Sequence, residues 1–285
     1  MDRRLKWGVV AVFVALALWL AYPAYIWLAS EAVIDQRYTL PRSLVEADQT
    51  PEGTARGRRL VILTGCADCH GEYLSGKQMR DGAFPIYASN LRALVKVYDD
   101  EDFDRAIRRG LRPDASSLWV MPSQSYVYMH DSDVASILGY LRSLPATGRR
   151  ALRPLFSWTV RKKIAIGQIE PAAPLALVQM PAIALGARYD GGRYIAMIAC
   201  GSCHGGDLSG TDIAPDLNVI KRYSREQFFN LMRKGRGANA RNLRMMRPLA
   251  QRFHLLEDWE IDPLYAYLGA RSNAPTMEEI TNAIE

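Results

Sequence analysis

One pentapeptide pattern, present twice, constrains this chain more than any other feature: Cys66-Ala67-Asp68-Cys69-His70 and Cys200-Gly201-Ser202-Cys203-His204. Two thiols one helical turn apart, followed at once by a histidine, form the pattern for covalent attachment of a c-type haem. The thiols add across the two vinyl groups, and the histidine is placed beneath the iron as proximal ligand. A pair of C-x-x-C redox or zinc motifs is the plainer reading. Such motifs go with a βαβ pattern or with further Cys and His ligands, whereas this chain has four cysteines and four histidines in all. Cys66, Cys69, Cys200 and Cys203 are then fully used, and none is left for a structural disulfide.

At 285 residues the chain is long enough for two domains of roughly 100 residues each. Its 49% of hydrophobic residues is ordinary for a globular protein, so disorder is not the default. The formal net charge of +6 is offset in part by haem propionates. The basic residues do not alternate with stacking aromatics and no nucleic-acid motif is present, which argues against a nucleic-acid partner.

Residues 7–30 carry no formal charge, and a helix of that length spans the roughly 30 Å of bilayer hydrocarbon. Arg3, Arg4 and Lys6 precede the run, while Glu31 and Asp35 follow it. The positive-inside rule therefore puts the N-terminus in the cytoplasm and the rest outside. Tyr22, Tyr25 and Trp27 suit an interfacial belt at the outer end, and Pro23 is a site for a kink. A cleaved signal peptide is the rival, but the apolar run exceeds the 7–15 residues of a usual signal core. The expected location is a bacterial inner membrane, single-pass, with the haem-bearing part periplasmic.

Beyond a polar connector the chain is written twice. Gly57-Arg58-Arg59-Leu60-Val61 leads into Cys66 and Gly191-Gly192-Arg193-Tyr194-Ile195 into Cys200 at the same distance, each predicted as a short helix carrying the motif. Gly71-Glu72-Tyr73-Leu74-Ser75-Gly76 matches Gly205-Gly206-Asp207-Leu208-Ser209-Gly210. A helix follows in each copy, ended by Gly110 or Gly235, with Asp99 as one cap and Ser224 with Gln227 as a capping box for the other. Closing helices are predicted over residues 132–143, with Val134, Ile137, Leu138 and Leu141 on the apolar face, and over 258–269, with Ile261, Leu264, Tyr265 and Leu268.

The second axial ligand separates electron transfer from reactivity at a haem iron. Gly110 to Met121 and Gly235 to Met246 are each eleven residues, in the segment before the closing helix. That equal spacing selects Met121 and Met246 as partners of His70 and His204, against the usual role of methionine as packing. Met245, Met129, and a bis-histidine arrangement through His130 and His254 are the competitors. Each proximal histidine also needs an acceptor for its second ring nitrogen.

Residues 146–185, with Pro154, Pro171, Pro174 and Pro181, are predicted to be extended with little regular structure. The first half of this linker is basic, reading as a solvated connector or a contact for anionic headgroups. Residues 221–252 hold ten Lys or Arg and one acidic residue, Glu226. This run is predicted to form a face that steers an acidic redox partner.

On the two C-x-x-C-H motifs, the Asp100-Glu101-Asp102-Phe103 helix ending at Gly110, Arg112-Pro113-Asp114, Met121-Pro122 and Tyr140-Leu141-Arg142-Ser143-Leu144-Pro145, the chain resembles the dihaem class I cytochrome c family. It is most similar to the cytochrome c subunits of membrane-bound alcohol and gluconate dehydrogenases. The resemblance covers roughly residues 53–271, although those subunits usually carry three haems and this chain has two motifs. It implies class I folds, His/Met ligation, electron transfer without substrate turnover, and a proline carbonyl as acceptor for the proximal histidine. Pro215 suits the second copy; Ser89 is its match in the first, with Pro85 nearby.

The expectation is thus an all-α chain: an N-terminal transmembrane anchor (1–34), two class I cytochrome c domains in tandem (35–145 and 186–272) joined by the linker 146–185, and a tail (273–285). It would bind two covalent haem c groups, contact the bilayer through residues 7–30, and pass single electrons from a dehydrogenase or quinol-oxidising complex to a downstream acceptor or terminal oxidase. The alternative is a dihaem redox enzyme, a peroxidase or sulfur-compound oxidoreductase, with one open or weakly ligated haem. A haem-based sensor or assembly factor is a third class, for which no output domain is present.

Overall fold

The computed structural model describes residues 3–81, 84–149, 156–238, 243 and 246–274. Its helices in chain order are α1 (Arg3–Ile34), α2 (Pro51–Leu63), α3 (Cys66–His70), α4 (Leu91–Leu94), α5 (Asp100–Arg109), α6 (Asp131–Ser143), α7 (Trp158–Ala165), α8 (Ala172–Val178), α9 (Asp190–His204), α10 (Arg225–Lys234), α11 (Met246–Phe253) and α12 (Asp258–Arg271). One antiparallel hairpin, β1 (Lys77–Asp81) with β2 (Phe84–Ala88), pairs Lys77 with Ala88 and Asp81 with Phe84. Among the described residues the protein is all-α apart from this hairpin, with two helical units in tandem behind one long N-terminal helix.

Helix α1 is long and apolar enough to cross a membrane. It exposes Trp7, Phe13, Leu18, Trp19 and Leu28, a surface that water does not favour. Ile26 and Ser30 near its far end are buried, because α7 packs there.

In the first unit α2 crosses α6, and in the second α9 crosses α12. The crossings are close because each has a glycine at the contact. A Cβ on Gly57 would overlap the Ser136 carbonyl and stand 2.9 Å from Tyr140 Cβ; one on Gly192 would overlap the Pro263 carbonyl and stand 2.9 Å from Tyr267 Cβ. The packing partner of Gly57 is therefore Gly192, one residue beyond the match that the repeat suggests. The extra residue in the first copy is absorbed by a break: α2 stops at Leu63, Gly65 takes a left-handed conformation (φ 82°), and α3 restarts at Cys66. Only glycine adopts such a conformation without cost. In the second copy α9 runs unbroken into the motif.

The loops after the two motifs are alike. The Gly76 N–H donates to the His70 carbonyl at 2.9 Å and the Gly210 N–H to that of His204 at 2.8 Å. Leu74 and Leu208, each at positive φ (55° and 66°), are buried under these turns. Both capping boxes form, Asp99 with Asp102 on α5 and Ser224 with Gln227 on α10, and Gly110 and Gly235 end those helices at φ 65° and 63°. On the closing helices Val134, Ile137, Leu138 and Leu141, and Ile261, Leu264 and Leu268, are buried as their spacing predicts. Each such side chain contributes roughly 1.5–3 kcal/mol by leaving water. Tyr265 is only partly buried; Tyr267 is fully buried and its hydroxyl donates to the Ile183 carbonyl at 2.9 Å.

One expectation about the connecting segments is corrected. Residues 146–185 contain α7 and α8 rather than extended chain. Their prolines mark a helix start: Pro171 is the N-cap of α8 and Pro174 lies in its first turn, where a missing N–H costs nothing. Ala172, Ala173 and Ala176 of α8 are buried in contact with α5 and the turn 123–125. Arg150, Arg153, Pro154 and the acidic residues of the tail lie outside the described residues. The polar connector before α2 is docked on the first unit: the Ala47 N–H donates to Asp100 at 2.8 Å and the Asp48 N–H to the Ala135 carbonyl at 2.9 Å.

The two cores exchange residues. Leu63 of α2 is buried in the second core and Ile198 of α9 in the first. The polar contacts are reciprocal too: Arg59 of α2 pairs with Glu260 of α12, and the Tyr194 hydroxyl of α9 donates to Asp133 of α6 at 2.5 Å. Burial first, then this hydrogen bond, raises the Tyr194 hydroxyl pKa well above its ordinary value.

Candidate haem-attachment sites

In each copy the helix that carries the motif also crosses the closing helix, so packing of the core fixes where the thiols and the histidine lie. Cys66 and Cys69 stand one turn apart on α3, and Cys200 and Cys203 on the last turns of α9. None of the four is in a disulfide, and all are partly accessible. Burial pushes the Cys66 and Cys69 thiols up and that of Cys200 up to about 12.

The histidines are oriented identically. His70 Nδ1 lies 2.7 Å from the Ser89 carbonyl and His204 Nδ1 lies 2.7 Å from the Pro215 carbonyl. A carbonyl can only accept, so each Nδ1 carries the proton and each Nε2 keeps its lone pair. Burial first, opposed by these hydrogen bonds, lowers both imidazole pKa values and favours the neutral ring, the form that ligates a metal. The acceptor in the first copy is Ser89, the repeat match of Pro215.

Met121 is partly buried against the core that holds Cys66, and Met246 is partly buried against the core that holds Cys200. Met246 opens α11 and is not in the loop that the sequence suggests. Met129 is also buried in the first core, as core filler would be. His130 and His254 are exposed; the His130 ring stacks on Tyr194 at 3.8 Å. Met245 lies outside the described residues.

Residues without a motif complete the surroundings. The Tyr126 hydroxyl is buried and donates to the Thr64 carbonyl at 2.8 Å. Burial raises its pKa well above the ordinary phenol value. Arg252 stands against the first motif, 3.3 Å from Asp68. Tyr126 has no distinguishing pattern in the sequence, and Arg252 is hidden there within a basic run.

The donor set fits a covalently attached haem: two thiols one turn apart, an imidazole with Nε2 free and Nδ1 fixed, and a thioether on the same core. No family model matches the chain. Among curated proteins it is similar to the fructose dehydrogenase cytochrome subunit of Gluconobacter japonicus, 26% identical over 255 residues, covering 75% of this chain and 51% of that protein. The diheme cytochrome c-type protein of Cereibacter sphaeroides is 26% identical over 223 residues, 72% of this chain and 70% of that protein. A quinone-type alcohol dehydrogenase cytochrome c subunit of Gluconacetobacter polyoxogenes is 25% identical over 134 residues, 42% of this chain and 29% of that protein. The chain thus spans about half the length of the first of these relatives and less of the last. From its paired C-x-x-C-H helices, its histidines held by backbone carbonyls and these relatives, the chain resembles a dihaem cytochrome c and the cytochrome c subunits of fructose and alcohol dehydrogenases.

Proposed function

We propose that this protein is a membrane-anchored electron carrier with two haem c groups, attached at Cys66 and Cys69 and at Cys200 and Cys203, with His70 and Met121 as axial ligands of one iron and His204 and Met246 of the other. When bound, each haem supplies a one-electron couple. The chain holds each imidazole at Nδ1, packs the thioether into the same core as the motif, and leaves His130 and His254 on the surface. The paired His70–Ser89 and His204–Pro215 hydrogen bonds carry the reading, because they orient both histidines for the same use. A methionine opposite a histidine raises the potential, and a closed sixth position keeps small ligands off the iron.

Helix α1 would anchor the protein in the inner membrane with its N-terminus cytoplasmic and the two units periplasmic. The donor would be a dehydrogenase or quinol-oxidising complex, as the dehydrogenase names of two of the relatives suggest, and the acceptor a downstream carrier or terminal oxidase. Lys221, Arg222, Lys234, Arg236 and Arg247 are exposed and would face an acidic partner. Arg225 and Arg233 are engaged by Asp262 and Asp258, so they add less to that face than the sequence implies. Arg241 and Arg244 lie outside the described residues.

Haem counting by the alkaline pyridine method on protein purified from membranes should give two per chain. The near-infrared methionine-to-iron(III) band should lose about half its intensity in Met121→Ala and about half in Met246→Ala. A band that survives both substitutions overturns the ligand assignment. Prompt carbon monoxide binding to the reduced wild-type protein would favour the redox-enzyme alternative.

A further inference from the structure

Arg252 is the charged group that haem attachment leaves unused. It lies six residues after Met246 in a run that reads as a basic surface, yet it is only 9% exposed. From α11 of the second unit its guanidinium reaches the first motif. Nη1 is 3.3 Å from Asp68 Oδ2 and lies so close to Gly65 that a Cβ there would collide with it. Its Nε is buried without a hydrogen-bond partner.

The other copy lacks an equivalent cation. With the packed tyrosines Tyr140 and Tyr267 aligned, position 252 corresponds to Ser125. Ser125 stands at the second motif, with its Cβ 3.9 Å from where a Cβ on Gly201 would be. One motif therefore receives a neutral hydroxyl and the other a buried guanidinium. Asp68, its ion-pair partner, has a side chain 52% exposed, so water screens that carboxylate more than it screens the guanidinium.

We propose that Arg252 is a positioning residue for charge at the first haem site: its buried guanidinium, paired with Asp68 and packed against Gly65, favours the reduced state of the haem attached at Cys66 and Cys69. The inference rests on the electron-carrier reading above. Reduction of iron(III) to iron(II) adds one electron and lowers the net charge of the site by one, so a fixed neighbouring cation stabilises the product. A unit charge about 10 Å away across an effective dielectric of about 20 biases a one-electron equilibrium by roughly tenfold, equivalent to about 59 mV. Loss of Arg252 also leaves Asp68 unpaired beside the first motif, which enlarges the effect there.

The test is a spectroelectrochemical titration of the full haem-loaded chain. Arg252→Gln should lower the midpoint of the haem attached at Cys66 and Cys69 by a roughly tenfold change in its reduction equilibrium and move the other less. Arg252→Lys should keep most of the wild-type value, and Asp68→Asn should raise the midpoint of the first haem. Unchanged midpoints in Arg252→Gln, or an equal fall in the Gln and Lys variants, would overturn the proposal, the second because shape and not charge would then be responsible. If Arg252→Gln does not mature, Asp68→Asn decides, and an unshifted midpoint there overturns it. A wild-type chain carrying fewer than two haems would instead overturn the reading of the sites themselves, which the potentials of a dihaem protein cannot do.

Discussion

Substituting each of the neighbouring glycines Gly191 and Gly192 by alanine should have opposite effects. Both lie in the first turn of α9, so alanine brings each a similar gain in backbone entropy, at most about 0.5–1 kcal/mol. At Gly191 the new methyl meets nothing within 4 Å, and that gain stands. At Gly192 it would overlap the Pro263 carbonyl of α12, a backbone atom inside a helix that cannot turn aside as a flexible side chain would. Overpacking of this kind costs about 1–3 kcal/mol. The net effect at Gly192 is a loss of up to about 2 kcal/mol, and the two variants should differ by about 1–3 kcal/mol. For a protein of this size 1 kcal/mol moves the midpoint by about 2–4 °C. Circular dichroism at 222 nm on the haem-loaded protein should show Gly191→Ala melting slightly above wild type and Gly192→Ala several degrees below. Equal midpoints, or a stabilising Gly192→Ala, would refute the assignment of Gly192 as the packing counterpart of Gly57, and with it the one-residue offset that the Gly65 break absorbs.

Arg161 of α7 lies over the Trp27 ring at 3.8 Å and pairs with Glu31 at 2.5 Å. Arg161→Ala should weaken the hold of α7 on α1 by about 1–3 kcal/mol, seen as faster amide hydrogen exchange in α7 with haem spectra unchanged; unaltered exchange would refute it. Electron transfer with the physiological partner should slow as ionic strength rises, and stopped-flow rates independent of salt would remove the steering role given to the basic face.

What was legible from the sequence is what chemistry or local backbone geometry confines to contiguous residues. The motifs had to be unbroken to place thiols and imidazole together. The glycine-leucine loops and the capping boxes work over a few positions, and comparing the copies exposed them, including Ser89 as the match of Pro215. Contacts between the halves left no such trace, since neither Leu63 nor Ile198 belongs to a pattern that names its distant partner. Prolines in residues 146–185 suggest extended chain, yet Pro171 caps a helix start and Pro174 is tolerated in its first turn. Tyr267 was passed over for Tyr265, although alignment with Tyr140 would have found it. Burial of Arg252 was illegible: composition counts a cation without saying where it points.

The reciprocal contacts between the halves have the form of a two-fold homodimer joined into one polypeptide. Position 59 of one copy meets the closing helix of the other, and its equivalent, position 194, returns the contact. In a true homodimer every residue appears at both ends of the symmetry axis, so neither site can differ from its mate. Joining the copies makes their pairing independent of concentration and releases that constraint. The frame stays nearly symmetric while single positions diverge, and Arg252 opposite Ser125 is such a divergence. Two equivalent seats thereby become two distinguishable ones without any change of fold.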